Sequence, residues 1–123
     1  MADKPVVDIP GTEPPTDLVL EDLVTGEGDE AVAGRTVAAH YVGVSWSTGQ
    51  QFDASWDRGQ PLSFQLGAGQ VISGWDTGIQ GMRVGGRRRI TIPPHLGYGD
   101  RGAPPVIAPG ETLVFVVDLD AVS

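Results

Sequence analysis

The segment Gln70 to Met82, QVISGWDTGIQGM, limits what this chain can fold into more than any other stretch. Val71, Ile72, Trp75, Ile79 and Met82 recur at spacings of three and four, which places them on one stripe of a helix. Ser73 is positioned as N-cap, Asp76 suits the positive first turn, and Gly81 provides a stop. Gly74 and Gly78 oppose this, each costing about 1 kcal/mol relative to alanine in a helix interior. So short and glycine-rich a helix does not hold alone. It must lie on something, and strand patterns flank it on both sides.

Leu18, Leu20, Leu23 and Val24 begin the first apolar run, which the turn-rich acidic loop TGEGDE ends. RTVAAHYVGVSW reads as a strand with Val37, Ala39, Tyr41 and Gly43 on one face. Ser47-Thr48-Gly49 turns the chain into QQFDASW, and Asp57 to Pro61 forms another turn. Leu62, Phe64 and Leu66 alternate with polar residues as a half-buried strand. In RRRITIPP, Ile90 and Ile92 face inward and Arg87, Arg89 and Thr91 outward, with the arginines read as a solvated strand start. Arg88 falls on the inward face and is expected to reach solvent at the strand end. His95 to Pro109 is a long irregular loop, the kind that is functional or mobile in a compact domain. GETLVFVVDLDA closes the chain, with Leu113, Phe115, Val117 and Leu119 on one face. About five strands joined by turns and one short helix give an α+β class: an antiparallel sheet covering a helix.

Charge separates the lead-in from the rest. Of 16 acidic residues, nine lie in residues 1–30 with Lys4 as their only basic neighbour, so the net charge of −8 belongs to this segment. Residues 1–16, holding four of the ten prolines, read as an extended or disordered lead-in, and residues 17–123 as one domain. The neutral globular part argues against a nucleic-acid surface. No cysteine is present, and the two histidines, His40 and His95, lack ligand-like spacing, so neither metal nor other cofactor is expected. No stretch approaches a transmembrane helix and no signal-peptide pattern opens the chain, which gives a soluble, monomeric, cytoplasmic protein as the expectation.

No nucleophile constellation and no phosphate-binding glycine loop is convincing. Asp53 and Asp57 could pair as carboxylates, but Asp57 sits in a turn beside Arg58 and reads better as its solvated partner. What remains is a set of aromatics, Tyr41, Phe52, Trp75, Tyr98 and Phe115, near a few polar groups, the composition of an apolar ligand pocket. On pattern alone Tyr41 and Phe115 are equally plain core residues, and Asp53 divides evenly between capping a turn and lining a site.

AHYVG around Tyr41, QFDAS with Phe52 and Asp53, VISGWDTG, and PPHLGYGDRGAPPVIAPGETLVFVVDL stand in the order and spacing of the FKBP-type peptidyl-prolyl isomerases, the immunophilins that bind tacrolimus and rapamycin. The chain resembles that family from about Leu18 to Ala121. The resemblance implies a five- or six-stranded antiparallel sheet wrapped around one short helix and, as activity, rotation of X-Pro bonds in proline-containing peptides and in unfolded or flexible protein segments. It implies inhibition by macrolides and no cofactor. It further implies that Trp75 forms a pocket floor under a proline ring, with Tyr41, Phe52, Val71, Ile72 and Phe115 as walls. Asp53 would stand at the rim with Arg58 orienting it. The Tyr98 hydroxyl and the Ile72 amide would hold ligand carbonyls, and Leu62 and Ile107 would complete the substrate-binding set. Leu62 replaces a phenylalanine common in the family, and Gly97, Ala103 and Val106 also depart from its better-known members.

Overall fold

In a computed structural model, which describes residues 4–10 and 13–123, the chain forms six strands and two short helices. The strands are β1 (Val19–Val24), β2 (Thr36–Ser45), β3 (Gln51–Ala54), β4 (Leu62–Gln65), β5 (Arg87–Ile92) and β6 (Leu113–Val122). All pair antiparallel, in the order β1-β5-β6-β2-β3, with β4 pairing the N-terminal half of β2. Helix α1 (Ser55–Arg58) follows β3 directly, and α2 (Ser73–Gly78) is the helix foreseen in the sequence.

The inner face of the sheet is the face that alternation picked out. Val37, Ala39 and Tyr41 of β2, Ile90 and Ile92 of β5, and Leu113, Phe115, Val117 and Leu119 of β6 are all buried in one cluster with Trp75 of α2 and its C-cap residue Ile79. The two helix glycines explain themselves here. A Cβ on Gly74 would lie 2.6 Å from Ile92 Cγ2, and one on Gly78 would lie 3.1 Å from Ile90 Cγ2. Their absence of side chain lets α2 lie down on β5, so packing outweighs the propensity each glycine loses.

The ends of α2 differ from the sequence reading. Ile72, with extended backbone, is the N-cap, and no side chain caps it; Ser73 is the first helical residue. The Asp76 carboxylate instead accepts from the Gly67 and Gly69 amides at 2.8 and 3.0 Å, tying the preceding loop to the helix. At the other end the helix stops at Gly78, three residues before Gly81. Arg88 takes over there. It is 8% exposed rather than solvated, and its Nη1 donates to the carbonyls of Gly78 and Gln80 at 2.7 and 3.0 Å. Its Nε donates to Asp22 at 2.6 Å. An inward-facing arginine in β5 thus supplies the C-terminal partners that a short helix lacks.

Nor are the neighbouring arginines a solvated strand start. Arg87 pairs with Asp118 through two bonds of 2.6 and 2.8 Å, and Arg89 Nη2 donates to the Asp8 carbonyl at 2.7 Å. Thr91, expected outward, is buried. Part of the lead-in explains why the outer face is not bare. Residues 4–10 form no helix or strand but alternate in burial, and Val7 and Ile9 pack, as Trp56 does, against the cluster of Val42, Val44 and Ala54 on that face. Residues 1–3 and 11–12 of the lead-in lie outside the described residues.

Residues Asp57 to Pro61, read as a turn, begin inside α1, which Gly59 closes in the left-handed region at φ 75°. The long loop begins with a 3-10 turn at Pro94–Leu96 and is pinned by a bridge between Ala103 and Ile107. Among the described residues, no helix is long and apolar enough to cross a membrane, and no group of three or more His, Cys, Asp or Glu residues is arranged to hold a metal ion.

Candidate active site

A pocket of about 190 Å³ opens where the N-terminus of α2 meets the inner faces of β2, β3 and β6. Tyr41, Phe52, Asp53, Leu62, Gln70, Val71, Ile72, Trp75, Tyr98 and Phe115 line it. It is smaller than the roughly 300–1,000 Å³ of sites that hold drug-sized ligands. A single small ring fits inside, with the rest of any larger ligand lying across the rim.

The aromatic wall is a chain of edge-to-face contacts. Trp75 meets Tyr41 at 4.8 Å between centroids and 84°, and Phe115 at 5.3 Å and 86°. Phe115 in turn meets Phe52 at 5.5 Å and 89°. Such pairs contribute about 0.5–1.5 kcal/mol each beyond the area they bury, and they fix ring orientations. The indole Nε1 of Trp75 is buried with no hydrogen-bond partner, so the ring sits where shape, not polarity, holds it.

Gly43 of β2 was placed on the inner face by alternation but was not singled out for the site. Paired with Asp53 and Phe115, it makes room for the pocket wall: a Cβ there would stand 2.6 Å from Phe52 Cζ and 2.7 Å from Phe115 Cε1. Gly43→Ala is therefore expected to displace both rings, costing about 1–3 kcal/mol of stability through overpacking. It is also expected to weaken the binding of any ligand in the pocket at least about tenfold, which is 1.4 kcal/mol at the site. Calorimetric titration of the variant beside a melting curve checks both.

The polar rim is a closed ring of three residues. Tyr41 Oη donates to Asp53 Oδ2 at 2.5 Å, Arg58 Nη1 donates to Asp53 Oδ1 at 2.6 Å, and Arg58 Nη2 donates to Tyr41 Oη at 2.8 Å. Arg58 does not line the pocket but holds the two residues that do. It pairs with Asp53, not with Asp57. Asp57 instead accepts from Lys4 at 2.8 Å and from Gln51 at 2.9 Å. Asp53, left between two roles by its sequence, thus stands at the rim. Both its oxygens are engaged, which holds the carboxylate in one orientation at the rim.

Burial, and after it the hydrogen bond to Asp53, raises the Tyr41 pKa above its ordinary value of 10.0. The contribution to stability is full below pH 10 and is lost as pH rises through the raised value. We expect the Tyr41 phenolate, isolated as the ultraviolet difference between wild type and Tyr41→Phe, to form only above pH 10. A midpoint at or below 10 would contradict the burial of the phenol, the main cause of the rise, since Arg58 of the ring acts in the opposite direction.

Tyr98 lines the rim from the long loop and is exposed, whereas Ile107 is buried in the core and is not among the lining residues. Ile107 serves the pocket indirectly, by anchoring the loop that presents Tyr98. Gln70 is a lining residue that the sequence did not flag. Its Oε1 accepts from the Gln65 amide at 2.8 Å, so it ties the end of β4 to the loop that leads into α2, a contact five residues along the chain that no motif signals.

The class the fold and site define is an antiparallel sheet packed on one short helix, with an aromatic cup of small-ring size at the start of that helix. The family model for the FKBP-type peptidyl-prolyl cis-trans isomerase matches residues 28–120, and the chain belongs to this family. It is 67% identical to the FK506-binding protein of Streptomyces anulatus over 121 residues, 98% of each chain. It is 50% identical to the probable FK506-binding protein of Corynebacterium glutamicum over 117 residues, 95% of this chain and 97% of that one. Among solved structures it is similar to AtFKBP13, with a TM-score of 0.81 and 42% identity over 89% of this chain and 96% of that one. FkpA from Escherichia coli is similar with a TM-score of 0.79 and 41% identity, over 88% of this chain and 49% of that one.

Proposed function

We propose that this protein is a peptidyl-prolyl cis-trans isomerase acting, as a cytoplasmic monomer, on X-Pro bonds in peptides and in unfolded or flexible protein segments. The observation that carries the reading is the pocket itself: a cup of ring size, floored by Trp75 and walled by Tyr41, Phe52 and Phe115.

The reaction requires no nucleophile. Amide resonance gives the C–N bond partial double-bond character and a rotation barrier of about 18–20 kcal/mol. Water bonded to the carbonyl oxygen favours the planar, charge-separated form. An apolar cup that holds the proline ring and excludes that water favours the twisted amide, in which the resonance is lost. An acceleration of about 1000-fold needs only about 4 kcal/mol of such differential binding. Trp75, Phe52, Phe115 and Tyr41 supply shape and dryness, and Val71, Ile72 and Leu62 extend the apolar surface. The Tyr98 hydroxyl and the Ile72 amide hold the flanking carbonyls while the prolyl carbonyl turns. Asp53, fixed by Arg58 and Tyr41, faces the prolyl nitrogen as it becomes pyramidal. Macrolides of the tacrolimus type compete for the same cup.

The test is isomerisation of a short X-Pro-Phe peptide in a protease-free assay, with and without excess tacrolimus. Acceleration abolished by the drug is the expected result. Acceleration indifferent to it would keep the isomerase and remove the macrolide from the pocket. A folded protein without acceleration would overturn the enzymatic reading and leave a binding module.

A further inference from the structure

The N-terminal arm, residues 4–10, lies outside the region that the family model matches, and it reaches the site from behind. The corner formed by β3 and α1 has two sides. Phe52, Asp53 and Arg58 serve the pocket. Ala54 belongs to the outer cluster with Val42 and Val44, and Val7 and Ile9 of the arm pack against that cluster, as does Trp56 of α1. Between these, Asp57 precedes Arg58 and accepts from Lys4 Nζ at 2.8 Å and from Gln51 Nε2 at 2.9 Å. The arm is fastened at a second point, where its Asp8 carbonyl accepts from Arg89 of β5 at 2.7 Å. Neighbouring residues of one helical turn are thus held in opposite directions: Asp57 by the arm, Arg58 by the rim of the pocket.

We infer that Lys4 and Asp57 are positioning residues for the site, and that the docked arm sets the place of Asp53 and Arg58 by holding the β3–α1 corner against the sheet. The physical basis is the shared corner. Arg58 makes its two rim bonds only if α1 is held in place, and α1 is a four-residue helix that cannot hold itself. The acidic Asp57, one residue from Arg58, would compete for its guanidinium if Lys4 did not engage it. The pairing with Lys4, and next that with Gln51, lowers the Asp57 pKa, consistent with a carboxylate held in this contact. A single exposed ion pair is a weak tie, so Lys4 alone has a small effect and the apolar contacts of Val7 and Ile9 carry the rest.

This inference rests on the proposed isomerase reading, and its test separates the two. In the full chain, Lys4→Ala is expected to lower kcat/KM on a prolyl peptide about two- to fivefold. The triple variant Lys4→Ala/Val7→Ser/Ile9→Ser is expected to lower it on the order of tenfold. Both should shift the Arg58 Nε–H resonance, and Lys4→Arg should restore the wild-type position and rate. An Arg58 resonance that does not move in Lys4→Ala, a surface change that leaves the core intact, would overturn the inference. So would a triple variant that melts at a lower temperature while its folded form keeps the wild-type kcat/KM. If the wild type shows no turnover, the isomerase reading fails, and the Arg58 resonance still decides whether the arm sets the corner.

Discussion

Trp75→Leu is expected to lower kcat/KM on a prolyl peptide by at least about tenfold while leaving the domain folded. Trp75 is only 3% exposed, and it contacts Tyr41, Phe64 and Phe115 as well as the pocket. Truncating a buried Trp to alanine costs about 3–5 kcal/mol, and leucine refills part of that space. The substitution also removes a buried indole N–H that has no partner, which offsets part of the loss. A net cost of about 2–3 kcal/mol is tolerable for a domain of ordinary stability, about 5–15 kcal/mol. The floor, however, is gone. Leucine cannot present a flat face to a proline ring, and the space it vacates admits the water that the mechanism must exclude. The check is kcat/KM alongside circular dichroism and a melting curve. A wild-type kcat/KM in the folded variant would show that Trp75 is a core residue only.

A second large effect is expected on stability, at Arg88. Arg88→Met keeps the apolar stem and removes the guanidinium, leaving the carbonyls of Gly78 and Gln80 without the donor that satisfies them. Its carboxylate partner is not the main loss, because the Asp22 side chain is 52% exposed and returns to water. The Gly78 carbonyl is buried, and an orphaned buried acceptor costs about 1–3 kcal/mol, whereas the Gln80 carbonyl belongs to an exposed residue and regains water, so the loss is about 1–3 kcal/mol. Denaturant unfolding measures this directly. Arg89→Met, which removes an exposed contact to the Asp8 carbonyl, serves as the control and should cost less than about 1 kcal/mol. If the two variants were equally stable, the helix end would not depend on Arg88.

Much of this architecture is legible in the sequence because its signals are local. The larger side chains recurring every second residue in β2 and β6 identify the inner face, since any slip by one residue would turn every side chain over. The stripe from Val71 to Met82 locates α2 for the same kind of reason. The pocket's aromatics follow from these faces together with the family motifs. What was misread depends on distant partners. Ser73 has the composition of a cap, but Ile72 holds the N-cap position with no side-chain cap, and Ser73 is the first helical residue. Arg88 breaks the inward pattern because its partners are on β1 and just past α2, between 8 and 66 residues away in the chain. Asp57 seemed paired with its neighbour Arg58, yet its cation is Lys4, 53 residues earlier. Gly43 and Gln70 act through what they leave room for or tie together, and neither leaves a mark in composition.

The central claim, that a proline ring sits in the cup over Trp75, is tested most directly by intermolecular nuclear Overhauser effects between a bound X-Pro-Phe peptide and the assigned aromatic protons. We predict contacts from the proline ring to Trp75, Tyr41 and Phe115, with exchange cross-peaks linking the peptide's cis and trans forms. Proline contacts confined to other surfaces, with the Trp75 ring silent, would contradict the claim.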